Sequence, residues 1–186
     1  MGYQQALEKA WDAVSGLPHD GDIAALQLLS DNYTIDIKNK TILSDSCNVP
    51  AKEYVSIILL HYLAAKLRLK TLPPLTGEWR DFNELEGGEG YYPAFKKRTI
   101  DRVIKKYGSN PDGLRAALDR MPGEITDKGD AGIVIHPFKE ISILIMMSKA
   151  DDEFGPDANI LFDKNISGIF CTEDVVVLTE MVVHLL

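Results

Sequence analysis

The sequence predicts an α+β fold: helices packed around a small, mainly antiparallel sheet, in a single globular domain. Three observations carry this expectation. "VPAKEYVSIILLHYLAAKLRL" places apolar residues around most of a helix. "AGIVIHPF" and "ISILIMM" are two short apolar runs rich in β-branched residues, and such runs read as adjacent buried strands. The elements do not alternate strand, helix, strand, so a doubly wound nucleotide fold is not expected. The 186 residues suit one domain with a substantial core. Residues 1–48 would supply N-terminal helices and a hairpin, and residues 50–186 the core.

Tyr3 to Val14 reads as an amphipathic helix with Ala6, Ala10 and Trp11 at helical spacing. Asp22 is placed to cap a second helix, Ile23 to Leu29. "YTIDIKNKTILSD" alternates apolar and polar, and "KNK" turns the chain back between two short strands. Pro50 suits the first turn of the long helix that follows. Leu75 to Leu85 reads as extended chain or loop. Pro93 is expected to open a helix whose inner face is Phe95, Thr99, Val103 and Tyr107, ending at Gly108. "NPDGLRAALDRM" gives a short helix that stops at Pro122-Gly123. A strand is expected at Asn159 to Phe162. Thr172 is placed to cap a terminal helix, with Glu173 and Asp174 in its first turn; the valines within it keep a strand open as an alternative.

The composition narrows the function classes. The chain is 45% hydrophobic and 26% charged, as in soluble globular proteins, and its net charge is -8. That balance disfavours nucleic acid and anionic membrane as partners, because both need a clustered positive field. No apolar run reaches membrane-spanning length, and the start lacks an apolar signal core and the Ser or Thr of a myristoylation signal. The expected compartment is the cytoplasm. Cys47 and Cys171 then read as reduced thiols, although one disulfide is formally open. Neither has a second cysteine at metal-ligand spacing, and no cofactor or metal site is expected.

The densest motif is "LTGEWRDFNELEGGEGYYPAFKKR", Leu75 to Arg98. Glycines before a helix can cradle an anion, but Glu84, Glu86 and Glu89 would repel it, and the spacing matches no phosphate loop. A turn needing positive φ is the preferred reading. Six of the chain's twenty basic residues follow closely: Lys96, Lys97, Arg98, Arg102, Lys105 and Lys106. A solvated helix face explains them most simply; the functional reading is an anion or acidic-partner contact led by Arg98. "DDEF", Asp151 to Phe154, is dense in carboxylates but lacks a calcium-loop spacing, so a polar loop is preferred. His61 reads as a helix histidine rather than a catalytic one, and Cys171 as a buried apolar cysteine rather than a thiolate stabilised at a helix start.

"IILLHYLAAK", "PLTGEWRDFNELEGGEGYYPAFKKR", "GDAGIVIHPF", "ADDEFGPDANILFD" and "TEDVVVL", in this order, resemble the domain-of-unknown-function 3786 family of prokaryotic proteins. The resemblance covers roughly residues 50–180. It implies an anaerobic setting and association with iron–sulfur or corrinoid one-carbon proteins. Because the chain has no cluster-ligating cysteine motif, any cluster or corrinoid would sit on a partner. The resemblance brings no catalytic residues with it.

Three functions follow, in order of preference. The first is a non-catalytic module binding a small anionic or cyclic ligand on a surface formed by both motif-rich segments. Trp79, Tyr91, Tyr92 and Phe154 would stack, while Thr76, Glu78, Arg98, Asp152 and Glu153 supply polarity. The second is an interaction protein whose basic helix docks on an acidic, iron–sulfur or corrinoid partner. The third is an enzyme using Glu78 and Glu153 as acid and base.

Overall fold

The computed structural model describes residues 3–186. The signal and myristoylation readings begin on Met1 and Gly2, which lie outside the described residues. The fold is α+β, with five α-helices and two wholly antiparallel sheets among the described residues. The chain divides into two compact units: one runs to Pro73 and takes in Gly168–Phe170, and the other comprises Pro74–Ser167 and Cys171–Leu186.

The first unit opens with α1 (Gln4–Ser15), which buries Ala10, Trp11 and Val14 and packs on α2 (Glu53–Leu69). Ala6, expected on the same face, is exposed. α2 buries nine residues spread round its circumference, including Ile57, Ile58, Leu59 and Leu60 in succession, as its apolar sequence requires. Between the helices lies a four-stranded sheet in chain order: β1 (Ile23–Leu28), β2 (Asp31–Asp36), β3 (Thr41–Ser44) and β4 (Val49–Pro50).

β1 corrects the second expected helix. Leu26 and Leu28 alternate inward at a period of two and are 7% and 2% exposed. Leu28 pairs with Asp31 across a two-residue turn, Leu29-Ser30, with Leu29 at φ 54. Pro50 also moves: it lies in the edge strand β4, where its missing N–H is tolerated, and α2 begins three residues later. The "KNK" turn holds as expected, closed by the Asp36 carboxylate, which accepts from the Asn39 N–H at 2.9 Å and its side-chain amide at 2.8 Å.

The second unit is built on five strands in the order β5 (Trp79–Asp81), β9 (Asp157–Asp163), β8 (Ile141–Ser148), β7 (Ala131–Phe138) and β6 (Gly123–Thr126). β7 and β8 are buried on both faces, as their predominantly apolar runs predict. β6 had no counterpart in the sequence reading, because its four residues are largely exposed. The expected helix before it is a 3-10 stretch, Pro111–Asp119, that packs on β7.

α3 (Gly88–Arg98) and α4 (Ile100–Tyr107) were expected as one helix. Phe95, Thr99, Val103 and Tyr107 are all buried, as their spacing predicts. The helix breaks at Thr99 (φ -125, ψ -74), whose hydroxyl donates to the Phe95 carbonyl at 2.7 Å. α3 begins at Gly88, so Pro93 lies inside it rather than opening it. α5 (Thr172–Leu185) is a helix, not a strand, and Cys171 rather than Thr172 occupies its cap position. The Asp174 carboxylate accepts from the Cys171 N–H, while the Thr172 hydroxyl donates to the Glu86 carbonyl at 2.7 Å.

Candidate functional site

The segment from Leu75 to Arg98 is first an internal fastening. The Asp163 carboxylate, 2% exposed, sits at the end of β9 and accepts from the Thr76 N–H (3.0 Å), the Thr76 hydroxyl (2.9 Å), the Gly77 N–H (2.7 Å) and the Asn165 N–H (3.0 Å). Burial acts to raise this carboxyl, but the hydrogen bonds from Asn165, Thr76 and Gly77 outweigh it and hold it below its ordinary value. Gly77, at φ 73, turns the chain into β5, where Trp79 pairs with Asp163. Glu78 faces outward and meets Lys164 at 3.0 Å and Arg80 at 3.8 Å.

The next residues fasten the 3-10 turn Phe82–Glu84 that precedes α3. Asp81 and Glu84 form a capping box: the Asp81 carboxylate accepts from the Asn83 N–H, and Glu84 accepts from the Asp81 N–H and pairs with Arg80 at 2.6 Å. Gly87 takes φ 73, and a Cβ on Gly88 would lie 2.0 Å from the Phe82 carbonyl oxygen. That close approach lets α3 settle over the turn so that Phe82 and Phe95 stack with centroids 4.0 Å apart and planes 3° apart. Phe162 of β9 meets both rings edge-on at 6.4 and 6.1 Å. Gly87 therefore serves a turn at positive φ, as the preferred reading had it, while Gly88 serves a close contact that reading did not include.

Two groups of the expected site residues lie apart. Thr76, Glu78 and Trp79 lie at the Asp163 end of β9. Asp152, Glu153 and Phe154 precede its Asp157 end, and the seven residues of β9 span about 20 Å. Their loop closes on itself: the Asp151 carboxylate accepts from the Glu153 and Phe154 N–H groups at 2.9 and 2.7 Å. Those two bonds, Phe154's first, hold the Asp151 carboxyl below its ordinary value. Pro156 anchors the loop against Gly108, where an added Cβ would stand 2.9 Å from the proline ring. Glu78 and Glu153, the acid–base pair, thus flank opposite ends of one strand.

Phe154 is 71% exposed, and the outer side of α3 and α4 is also open to solvent. Tyr91 is 55% exposed, and Tyr92 is half-buried with its ring 6.4 Å from Phe95. Lys97, Arg98, Arg102, Lys105 and Lys106 are all exposed, and Lys96 pairs with Asp101. Glu180 of α5 lies between two guanidinium groups, 3.9 Å from Arg98 and 3.6 Å from Arg102. The sequence reading missed Glu180, because only the fold brings α5 beside α3 and α4. It also missed Asp163 as the fastening point, and a contact at 3.0 Å between His136 Nδ1 and the buried Ser142 hydroxyl across the β7–β8 hairpin.

Both cysteines are free and exposed, which corrects the buried reading of Cys171. Desolvation of its thiol, together with the neighbouring Asp174 carboxylate, pushes it above its ordinary value, the reverse of an activated thiolate. Among the described residues, no group of three or more His, Cys, Asp or Glu is placed to hold a metal ion, and no helix is long and apolar enough to cross a membrane.

No curated protein and no solved structure matches the chain. The family model described as a domain of unknown function, DUF3786, matches residues 9–185. The match extends the resemblance read over residues 50–180 through the N-terminal helix and the four-stranded sheet. The chain belongs to the DUF3786 family.

Proposed function

We propose that this protein is a non-catalytic interaction module whose outer α3–α4 face receives an acidic surface of a partner protein. One observation carries the reading: five exposed cations, Lys97, Arg98, Arg102, Lys105 and Lys106, lie within ten residues of a chain whose net charge is -8. The one acid in that stretch, Asp101, is taken by Lys96. Exposed cations on a helix surface bind weakly one at a time, so an extended acidic face suits them better than a lone small anion. The small-ligand reading, on a surface shared by Trp79, Arg98 and Phe154, has less support, since Trp79 and Phe154 lie at opposite ends of β9. An iron–sulfur or corrinoid protein, as the family resemblance implies, would fit if its docking face is acidic.

The test is co-purification of the intact protein from its native host in about 0.1 M and about 1 M salt. A charge-led partner is retained in the first and lost in the second. It is also lost at low salt when Lys97, Lys105 and Lys106 are all changed to Glu. A partner that survives both changes overturns the reading.

A further inference from the structure

Glu180 is the one acid of α5 beyond its first turn, in a stretch where Val176, Leu178, Thr179, Val182 and Val183 are buried. Its side chain is 34% exposed, and the Arg98 and Arg102 side chains are 54% and 50% exposed. Guanidinium groups hold carboxylates best through two short, parallel N–H···O bonds. Here one carboxylate is shared by two guanidinium groups, and both separations, 3.9 and 3.6 Å, exceed hydrogen-bonding distance. Charge alone holds the three groups together, leaving the geometry of both forks unused.

We infer that Glu180 is a built-in competitor on this face: it occupies the place that a carboxylate of an acidic protein segment takes between Arg98 and Arg102. The arginine pair is then the point at which the partner is read, and Glu180 sets how strong an acid cluster must be to displace it. This rests on the proposed acidic-partner function and adds the residues that discriminate. Two guanidinium groups converging on one spot favour a partner presenting adjacent carboxylates over one with scattered single charges. Lys97, Lys105 and Lys106, outside the pair, strengthen association without selecting among acidic surfaces.

The experiment uses a fluorescently labelled oligoglutamate peptide, with anisotropy read on the full chain at low salt. Glu180→Gln is expected to tighten binding about three- to five-fold. Glu173→Gln removes the same charge from the same helix, away from the pair, and is expected to leave affinity unchanged. In an R98A/R102A background, Glu180→Gln should have no effect. Thermal melts of each variant confirm that it folds. If Glu180→Gln leaves binding unchanged or weakens it, or tightens it equally without the arginines, the competitor role is overturned while the acidic-partner function stands. If the folded wild type does not bind the peptide and the charge-reversed Lys97, Lys105, Lys106 variant behaves identically, both ideas fall.

Discussion

Thr76–Gly88 and Lys97–Lys106 are close neighbours in sequence, both rich in charge, yet their charges do opposite work. In the first stretch most polar groups are used by the chain itself: Thr76 and Gly77 on Asp163, the Asp81 carboxylate on the Asn83 N–H, Glu84 on the Asp81 N–H, Arg80 on Glu84. In the second, five cations are exposed, and among the described residues Arg98 and Arg102 are the ones that meet an acid, at long range. A conspicuous motif marks a place where the fold is demanding. The α3–α4 stretch carries exposed cations with few internal uses. Stability should therefore be sensitive in the first stretch and indifferent in the second.

The largest effect is expected at Gly88. Its Cβ position is filled by the Phe82 carbonyl oxygen at 2.0 Å, and backbone on both sides cannot yield without unstacking Phe82 from Phe95. Gly88→Ala should destabilise by about 3 kcal/mol or more, read by urea unfolding. Gly87→Ala, one residue away, meets open space and bears only the strain of φ 73, about 1 kcal/mol. Equal losses from the two would show that conformation, not close packing, governs the turn.

Asp163→Asn comes next. It replaces a carboxylate that satisfies four donors with an amide that cannot accept from all of them, at a cost of about 2–3 kcal/mol. The wild type carries a pH signature of the same bond set. The Asp163 carboxyl titrates lower folded than unfolded, so its stabilisation is present above the unfolded value of about 3.9 and drains as the pH falls toward the folded one. Asp163→Asn should flatten that part of the acid limb. An unaltered acid limb in the variant would mean that other carboxylates dominate acid unfolding.

Tyr107→Phe tests the inner side of the indifferent region. The Tyr107 ring is 8% exposed, and its hydroxyl donates to the Leu186 main-chain oxygen at 2.5 Å, which Arg120 also reaches at 3.0 Å. Because Arg120 still serves that oxygen, the loss should be only about 1 kcal/mol, measured by thermal or urea unfolding.

What could be read in advance followed local periodicity. The buried row Phe95, Thr99, Val103, Tyr107 obeys the helical repeat, and β7 and β8 are dominated by apolar, largely β-branched residues, so both were legible. β1 was not, because its turn is Leu29-Ser30 rather than a glycine or asparagine pair, and a leucine at φ 54 carries no signal. β6 was not, because Ile125 is 61% exposed and the strand has no apolar face. The role of Gly88 depends on a carbonyl six residues back, and that of Asp163 on partners 86 and 87 residues away. Such placements are set by tertiary contact. The basic residues were legible as a cluster, but the carboxylate that tempers two of them lies on another helix.

The smallest expected effect on stability is at the outer face, and it sharpens the comparison most. Lys97, Lys105 and Lys106 are exposed, and the Lys106 ammonium lies 5.4 Å from the Tyr107 ring centre, a contact worth under about 1 kcal/mol at such a site. Changing all three to Glu should shift stability by no more than about 1 kcal/mol, because surface substitutions away from packed features each have small effects. The change moves local charge from strongly positive to acidic, so partner retention should collapse while the unfolding curve barely moves. If the same variant instead unfolds as readily as Gly88→Ala, these lysines are holding the fold, and the outer α3–α4 face is not free for a partner.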